Sequence, residues 1–130
     1  MTVLPDTSVW VDYLRSGTEG PAAGLDGLLE AESVLVCGPV LAELLAGTPA
    51  ERTSELWHAL EALPWAELDR AAWRRIGEVG RDLRASGASA PLTDLAIAVA
   101  AVSAGASVWT RDEDFERIRS ALPELDLVSP

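Results

Sequence analysis

Short apolar runs alternate with helical patterns along this chain, and that alternation restricts the fold more than any other feature. Strands are expected at 2–6, 34–37 and 107–110, with an edge strand at 125–128. Helices are expected at about 7–15, capped by Thr7 or Ser8, and at 22–31. Gly38-Pro39 then turns the chain into a third helix that ends at Gly47, with Pro39 at its first position. Leu56, Leu60 and Leu63 mark one face of a further helix. Another spans 70–85 with Ile76, Val79 and Leu83 facing inward, and the most apolar spans 92–104. A last helix begins near Asp114. Strands separated by helices indicate a parallel sheet covered on both faces. The expectation is a single-domain α/β fold over 1–130, a three-layer α/β/α arrangement around a central, mostly parallel sheet. Pro5 fits it only at a strand end, because proline cannot donate to the ladder.

Composition narrows the chemistry. No stretch approaches the roughly 18 apolar residues of a membrane span. The chain opens at once on a strand pattern, so neither a signal peptide nor an anchor is expected. The one cysteine, Cys37, sits within an apolar run and reads as a buried structural thiol, which suits a cytoplasmic protein. The ten basic residues are all arginines and face 21 acids, for a formal net charge of −11. Without lysine, P-loop phosphate binding and Schiff-base chemistry are excluded. A single histidine, His58, excludes zinc sites built from several histidines. The acidity fits a metal-binding protein or one with a basic partner, rather than a stand-alone nucleic-acid binder.

Four acids stand where an open sheet would bring them to one rim, where ligands usually bind. Asp6 closes the first strand, Glu43 lies one turn into the helix after the second, Asp94 heads the apolar helix, and Asp112 follows the third strand. Each has an ordinary explanation: a helix cap for Asp6, a solvated face for Glu43, a helix-dipole partner for Asp94, a charged loop for Asp112. Their common placement is poorly explained by coincidence. Massed carboxylates repel each other and cannot all ionise unless a cation joins them, which points to a hard divalent metal. No histidine lies near Ser8 or Thr110 in sequence, so a hydroxyl nucleophile lacks its base. Water activated by the metal is the nucleophile that remains.

The residues also resemble a known family. Asp6-Thr7-Ser8-Val9-Trp10-Val11-Asp12-Tyr13-Leu14 is similar to the opening of PIN-domain ribonucleases, in particular the VapC-type toxins of bacterial toxin–antitoxin pairs. Pro39-Val40-Leu41-Ala42-Glu43-Leu44, Leu92-Thr93-Asp94-Leu95-Ala96-Ile97-Ala98 and Thr110-Arg111-Asp112-Glu113-Asp114-Phe115 resemble its later acidic blocks, in order. The resemblance implies a PIN-like fold with Asp6, Glu43, Asp94 and Asp112 as the catalytic and metal-site acids. Asp114 is the second candidate in the last loop. Thr7 or Ser8, and Thr110, would support the site by hydrogen bonding, and Arg15 and Arg111 would contact phosphates. The activity implied is Mg²⁺-dependent endoribonucleolytic hydrolysis, with Mn²⁺ able to substitute, since oxygen-only ligands suit these ions. The implied partners are an RNA substrate, a cognate antitoxin with a basic tail and a second copy of the chain, with no membrane. Two alternatives are a non-catalytic PIN-like interaction module and an aspartate-based phosphatase, the latter disfavoured by the missing lysine.

Overall fold

The computed structural model describes residues 1–129. β1 (Val3–Pro5), β2 (Ser107–Trp109) and β3 (Leu127–Val128) form one parallel sheet in the order β1-β2-β3. Val3, Leu4 and Pro5 pair with Ser107, Val108 and Trp109, and Val108 and Trp109 pair with Leu127 and Val128. All six residues of β1 and β2 are buried. Successive side chains point to opposite faces, so an unbroken buried run means that helices cover both. The expected α/β layering is therefore present, as are the edge strand at the C-terminal end and the position of Pro5 at the end of β1.

The second expected strand is not continuous. Residues 34–36 make two separate parallel bridges, Val34 to Val3 and Val36 to Trp65. The reason is Pro5. The Val3 N–H donates to the Ser33 carbonyl and the Leu35 N–H donates to the Val3 carbonyl, both at 2.8 Å. Alternate residues of a parallel strand serve the same neighbour. The next donor on that side would come from Pro5, which has none, so the ladder stops after one bridge. The extended segment then turns its other edge to Trp65, a pairing the sequence pattern did not indicate: the Val36 N–H donates to the Pro64 carbonyl and the Ala66 N–H to the Val36 carbonyl.

Among the described residues, seven α-helices surround the sheet: α1 (Thr7–Ser16), α2 (Gly24–Glu30), α3 (Gly38–Ala46), α4 (Thr53–Glu61), α5 (Arg70–Ala85), α6 (Leu92–Ala104) and α7 (Asp114–Arg119). α2 is shorter than expected, and its first residue, Gly24, lies beside the ring of Trp109. α6 carries seven consecutive buried residues, Leu95 to Ala101, and packs against β1, β2, α3, α5 and α7. A helix apolar on every side has to be surrounded in this way. α5 buries Ala72, Ile76, Val79 and Leu83, at helical spacing, against it. Gly80 makes this contact close, since a Cβ there would stand 3.2 Å from Leu95 Cδ1.

α6 ends at Gly105, whose φ of 69° is left-handed. A Cβ at Gly105 would meet nothing within 4 Å, so only the backbone resists substitution there. Gly105→Ala is expected to cost about 1 kcal/mol, a drop of roughly 3–5 °C in melting temperature. A calorimetric melt checks this. An unchanged midpoint would mean that this cap does not fix the turn into β2.

Candidate metal centre

The sheet brings the acids together through chain direction. Asp6 follows the last residue of β1, and Thr110 to Asp114 follow β2, so both leave the C-terminal edge. α6 precedes β2 and runs back along the sheet, which returns its first turn, with Asp94, to that edge. α3 starts where the extended 34–36 segment ends and carries Glu43 over the same rim. Asp6, Glu43, Asp94, Asp112 and Asp114 line one depression of about 370 Å³, with Thr7, Ser8, Pro91 and Thr93 completing it.

Asp6 is its fixed floor. It is 4% exposed and caps α1 by accepting from the Val9 N–H at 3.0 Å. Thus the cap is Asp6 rather than Thr7 or Ser8. The Ser8 hydroxyl donates to the same carboxylate oxygen at 2.7 Å, and the buried Thr110 hydroxyl donates to the other at 2.5 Å. Thr110 in turn accepts from the Asp112 N–H at 2.9 Å, and Asp112 accepts from the Asp114 N–H at 2.9 Å. The chain of bonds ties the last loop to the first strand. Exposed Glu43 accepts from the Thr7 hydroxyl at 2.6 Å. The three hydroxyls thus lie in the supporting positions expected of them.

Asp94, Asp112 and Asp114 are the tightest group: each offers one oxygen, and these oxygens all lie within 4.8 Å of one another. Oxygens opposite each other around a hard cation at about 2.0–2.6 Å are about 4.0–5.2 Å apart, so this spread is compatible with one shared hard cation. The charge environment agrees with the geometry. Half-burial pushes the Asp94 carboxyl up from 3.8 to about 7, and Asp112, Asp114, Asp6 and Glu43 add to the rise in that order. In the absence of a cation, this rise favours the protonated form of Asp94, which relieves the crowding.

Three arginine and aspartate contacts differ from, or add to, the sequence reading. Arg111 is engaged by Asp12 of α1, so its guanidinium anchors the last loop instead of standing free for a phosphate. Arg117 pairs with Asp114 at 2.9 Å and donates to the Ser89 carbonyl at 2.9 Å, joining the last loop to the segment before α6. Its spacing of three residues from Asp114 on a helix was the available signal. Asp12 gave none, because its partner is distant in sequence. His58 is exposed beside Glu61. Cys37 is buried and free, and burial raises its thiol to about 11, so it is an inert thiol as expected.

The comparisons with known proteins agree with this layout. A family model described as PIN domain matches residues 3–121. Ribonuclease VapC11 of Mycobacterium tuberculosis is 32% identical over 121 residues, covering 89% of this chain and 90% of that protein. VapBC2 from Rickettsia felis, solved bound to a promoter DNA fragment, is similar with a TM-score of 0.79 at 22% identity, over 100% of this chain and 99% of that one. DNA-bound VapBC from Salmonella typhimurium has a TM-score of 0.80 at 21% identity, over 99% and 98%.

Proposed function

This chain belongs to the PIN-domain family, and from that premise we propose that it is a VapC-type endoribonuclease toxin whose acidic depression holds Mg²⁺, with Mn²⁺ able to substitute. The observation that carries the reading is the convergence of Asp6, Glu43, Asp94, Asp112 and Asp114 on one depression at the rim of a parallel sheet. Asp94, Asp112 and Asp114 are the proposed direct ligands, with Asp6 and Glu43 acting directly or through water. The nuclease domain is taken to span 1–130.

A hard divalent cation, when bound, neutralises charge on the phosphate oxygens and acidifies a water. The protein's own contribution is position. Asp6 is held by three donors and cannot swing away. Thr110 sets the height of the last loop, and Asp112 is anchored by the Asp114 N–H. Asp94 stands on the rigid, buried helix α6 and orients the attacking water. The acid set matches the family's blocks without a gap, which favours catalysis over a non-catalytic interaction module.

The same reading assigns the partners. A cognate antitoxin would reach the acids with a basic tail and suppress cleavage by competing for them. The chain is read as a homodimer acting in the cytoplasm; among the described residues no helix is long and apolar enough to cross a membrane. RNA cleavage is expected to require Mg²⁺ or Mn²⁺ and to stop in EDTA, and Mg²⁺ should raise the melting temperature of the wild type because it binds only the folded site. Single-stranded RNA incubated with and without EDTA checks the first, and a thermal melt the second. Cleavage that survives EDTA would overturn the metal-dependent reading.

A further inference from the structure

Half of the chain's basic residues lie on one helix. α5 holds five of the ten arginines and only two of the 21 acids, Glu78 and Asp82, in a chain whose formal net charge is −11. Arg70, Arg74, Arg81 and Arg84 recur at helical spacing and share one face, with Gly77 between them. All four are exposed. The face runs ~21 Å from Arg70 to Arg84 at 1.5 Å per residue. Among the described residues, only Arg74 of the four meets an acid, Glu78 at 3.7 Å between exposed side chains. The stripe keeps its positive charge while the rest of the surface is acidic.

This face leads to the acids. A cavity of about 280 Å³ between α5 and α6 is lined by Gly77, Gly80, Arg81, Arg84, Leu92 and Leu95. Leu92 also borders a second cavity of about 400 Å³ with Trp73, Thr93 and one acid, Glu67, and Thr93 borders the acidic depression. The path is open and partly apolar: Trp73 is 48% and Leu92 64% exposed. At Gly77 a Cβ would meet nothing within 4 Å. Packing does not demand glycine there, and its bare backbone leaves the floor of the path clear.

We propose that α5 and this path form the track along which single-stranded RNA approaches the acidic site, with Arg70, Arg74, Arg81 and Arg84 meeting phosphates and Trp73 stacking a base. The inference rests on the ribonuclease reading. Exposed Trp73 lies on α5 beside the arginine stripe, and an aromatic next to a row of cations is an arrangement that holds single strands without sequence preference. A second copy suits the face poorly, since a two-fold contact of α5 on α5 would set the same arginines against one another.

The test is fluorescence anisotropy with a labelled single-stranded RNA of about 12 nucleotides, in EDTA and over a range of KCl, so that binding is read without cleavage. Each arginine–phosphate contact in a single strand contributes about 0.7 to the slope of log K against log salt. The Arg81→Ala/Arg84→Ala double variant is expected to lower that slope by about 1.4. Arg81→Glu/Arg84→Glu is expected to raise Kd at least ~10-fold at low salt. Trp73→Ala is expected to raise Kd ~5-fold with the slope unchanged. Circular dichroism confirms that the variants fold. Unchanged affinity and slope overturn the track. So does a loss of self-association in sedimentation with RNA affinity intact, which would make the face an interface between copies. Stripe-dependent binding without Mg²⁺-dependent cleavage would defeat the ribonuclease reading and leave the track standing.

Discussion

Asp94→Asn is expected to abolish RNA cleavage, a loss of at least about 10²–10³-fold, while making the metal-free protein more stable than the wild type at pH 8. The substitution keeps the size and one acceptor oxygen but removes the charge that holds a cation and orients water. Its effect on stability follows from the crowding. The Asp94 carboxyl is raised from 3.8 to about 7 in the folded protein, first by burial and then by Asp112, Asp114, Asp6 and Glu43. The folded state therefore holds this proton more tightly than the unfolded chain. Metal-free stability is fully present below about pH 4, falls between pH 4 and 7, and stays low above that range. A full shift of this size corresponds to about 4 kcal/mol, and the half-exposure of the group reduces the effect to about 1–2 kcal/mol.

The amide of the Asp94→Asn variant cannot ionise, so the variant should lose that pH dependence and gain roughly 5 °C at pH 8. Mg²⁺ should stabilise the wild type and leave the variant almost unmoved. If Asp94 served only the helix dipole, the variant would instead be less stable by up to about 1 kcal/mol at pH 8. Thermal melts at pH 5 and pH 8, with and without Mg²⁺, separate the two. Wild-type cleavage by the variant would remove Asp94 from the site.

The sequence carried most of the sheet because its strands are defined by unbroken apolar runs bounded by Asp6, Gly105 and the acidic loop after Trp109. It carried the acids because Asp6, Asp94 and Asp112 stand at or just past strand and helix termini, and Glu43 stands one turn into the helix after the second apolar run. What it did not carry depends on pairing. The segment 34–37 looks like a strand in isolation, and only the register against β1 reveals that the missing donor of Pro5 cuts the ladder short. The contribution of Trp65 was hidden behind Pro64, which cannot donate to a sheet ladder. Arg111 looked free because Asp12 lies almost a hundred residues earlier. The family resemblance ranks Asp112 ahead of Asp114, and the folded loop brings both within reach of Asp94. For Asp6 two readings competed, a helix cap and a site acid. The carboxylate has two oxygens and several lone pairs, so the cap at Val9 leaves it free to face the depression as well.

That double duty sets Asp6 apart from Asp94 and gives the opposite expectation for stability. Asp6→Ala is expected to abolish cleavage and also to destabilise the metal-free fold by about 2–4 kcal/mol, roughly 10 °C or more in melting temperature. The substitution orphans the Val9 N–H at the start of α1 and the Thr110 hydroxyl, which is 6% exposed. A capping loss contributes about 1 kcal/mol, and a buried donor left without its charged acceptor about 1–3 kcal/mol more. Relief of repulsion offsets little of this, because Asp6 ranks behind burial, Asp112 and Asp114 among the causes that raise Asp94. Asp6→Asn keeps a capping oxygen for Val9 and should recover part of the stability without recovering cleavage. Melts of the two variants beside a cleavage assay decide the point. An Asp6→Ala protein as stable as wild type would show that the bonds to Val9 and Thr110 do not hold β1, α1 and the last loop together. An Asp6→Asn protein that cuts RNA at the wild-type rate would show that its charge is not part of the metal centre.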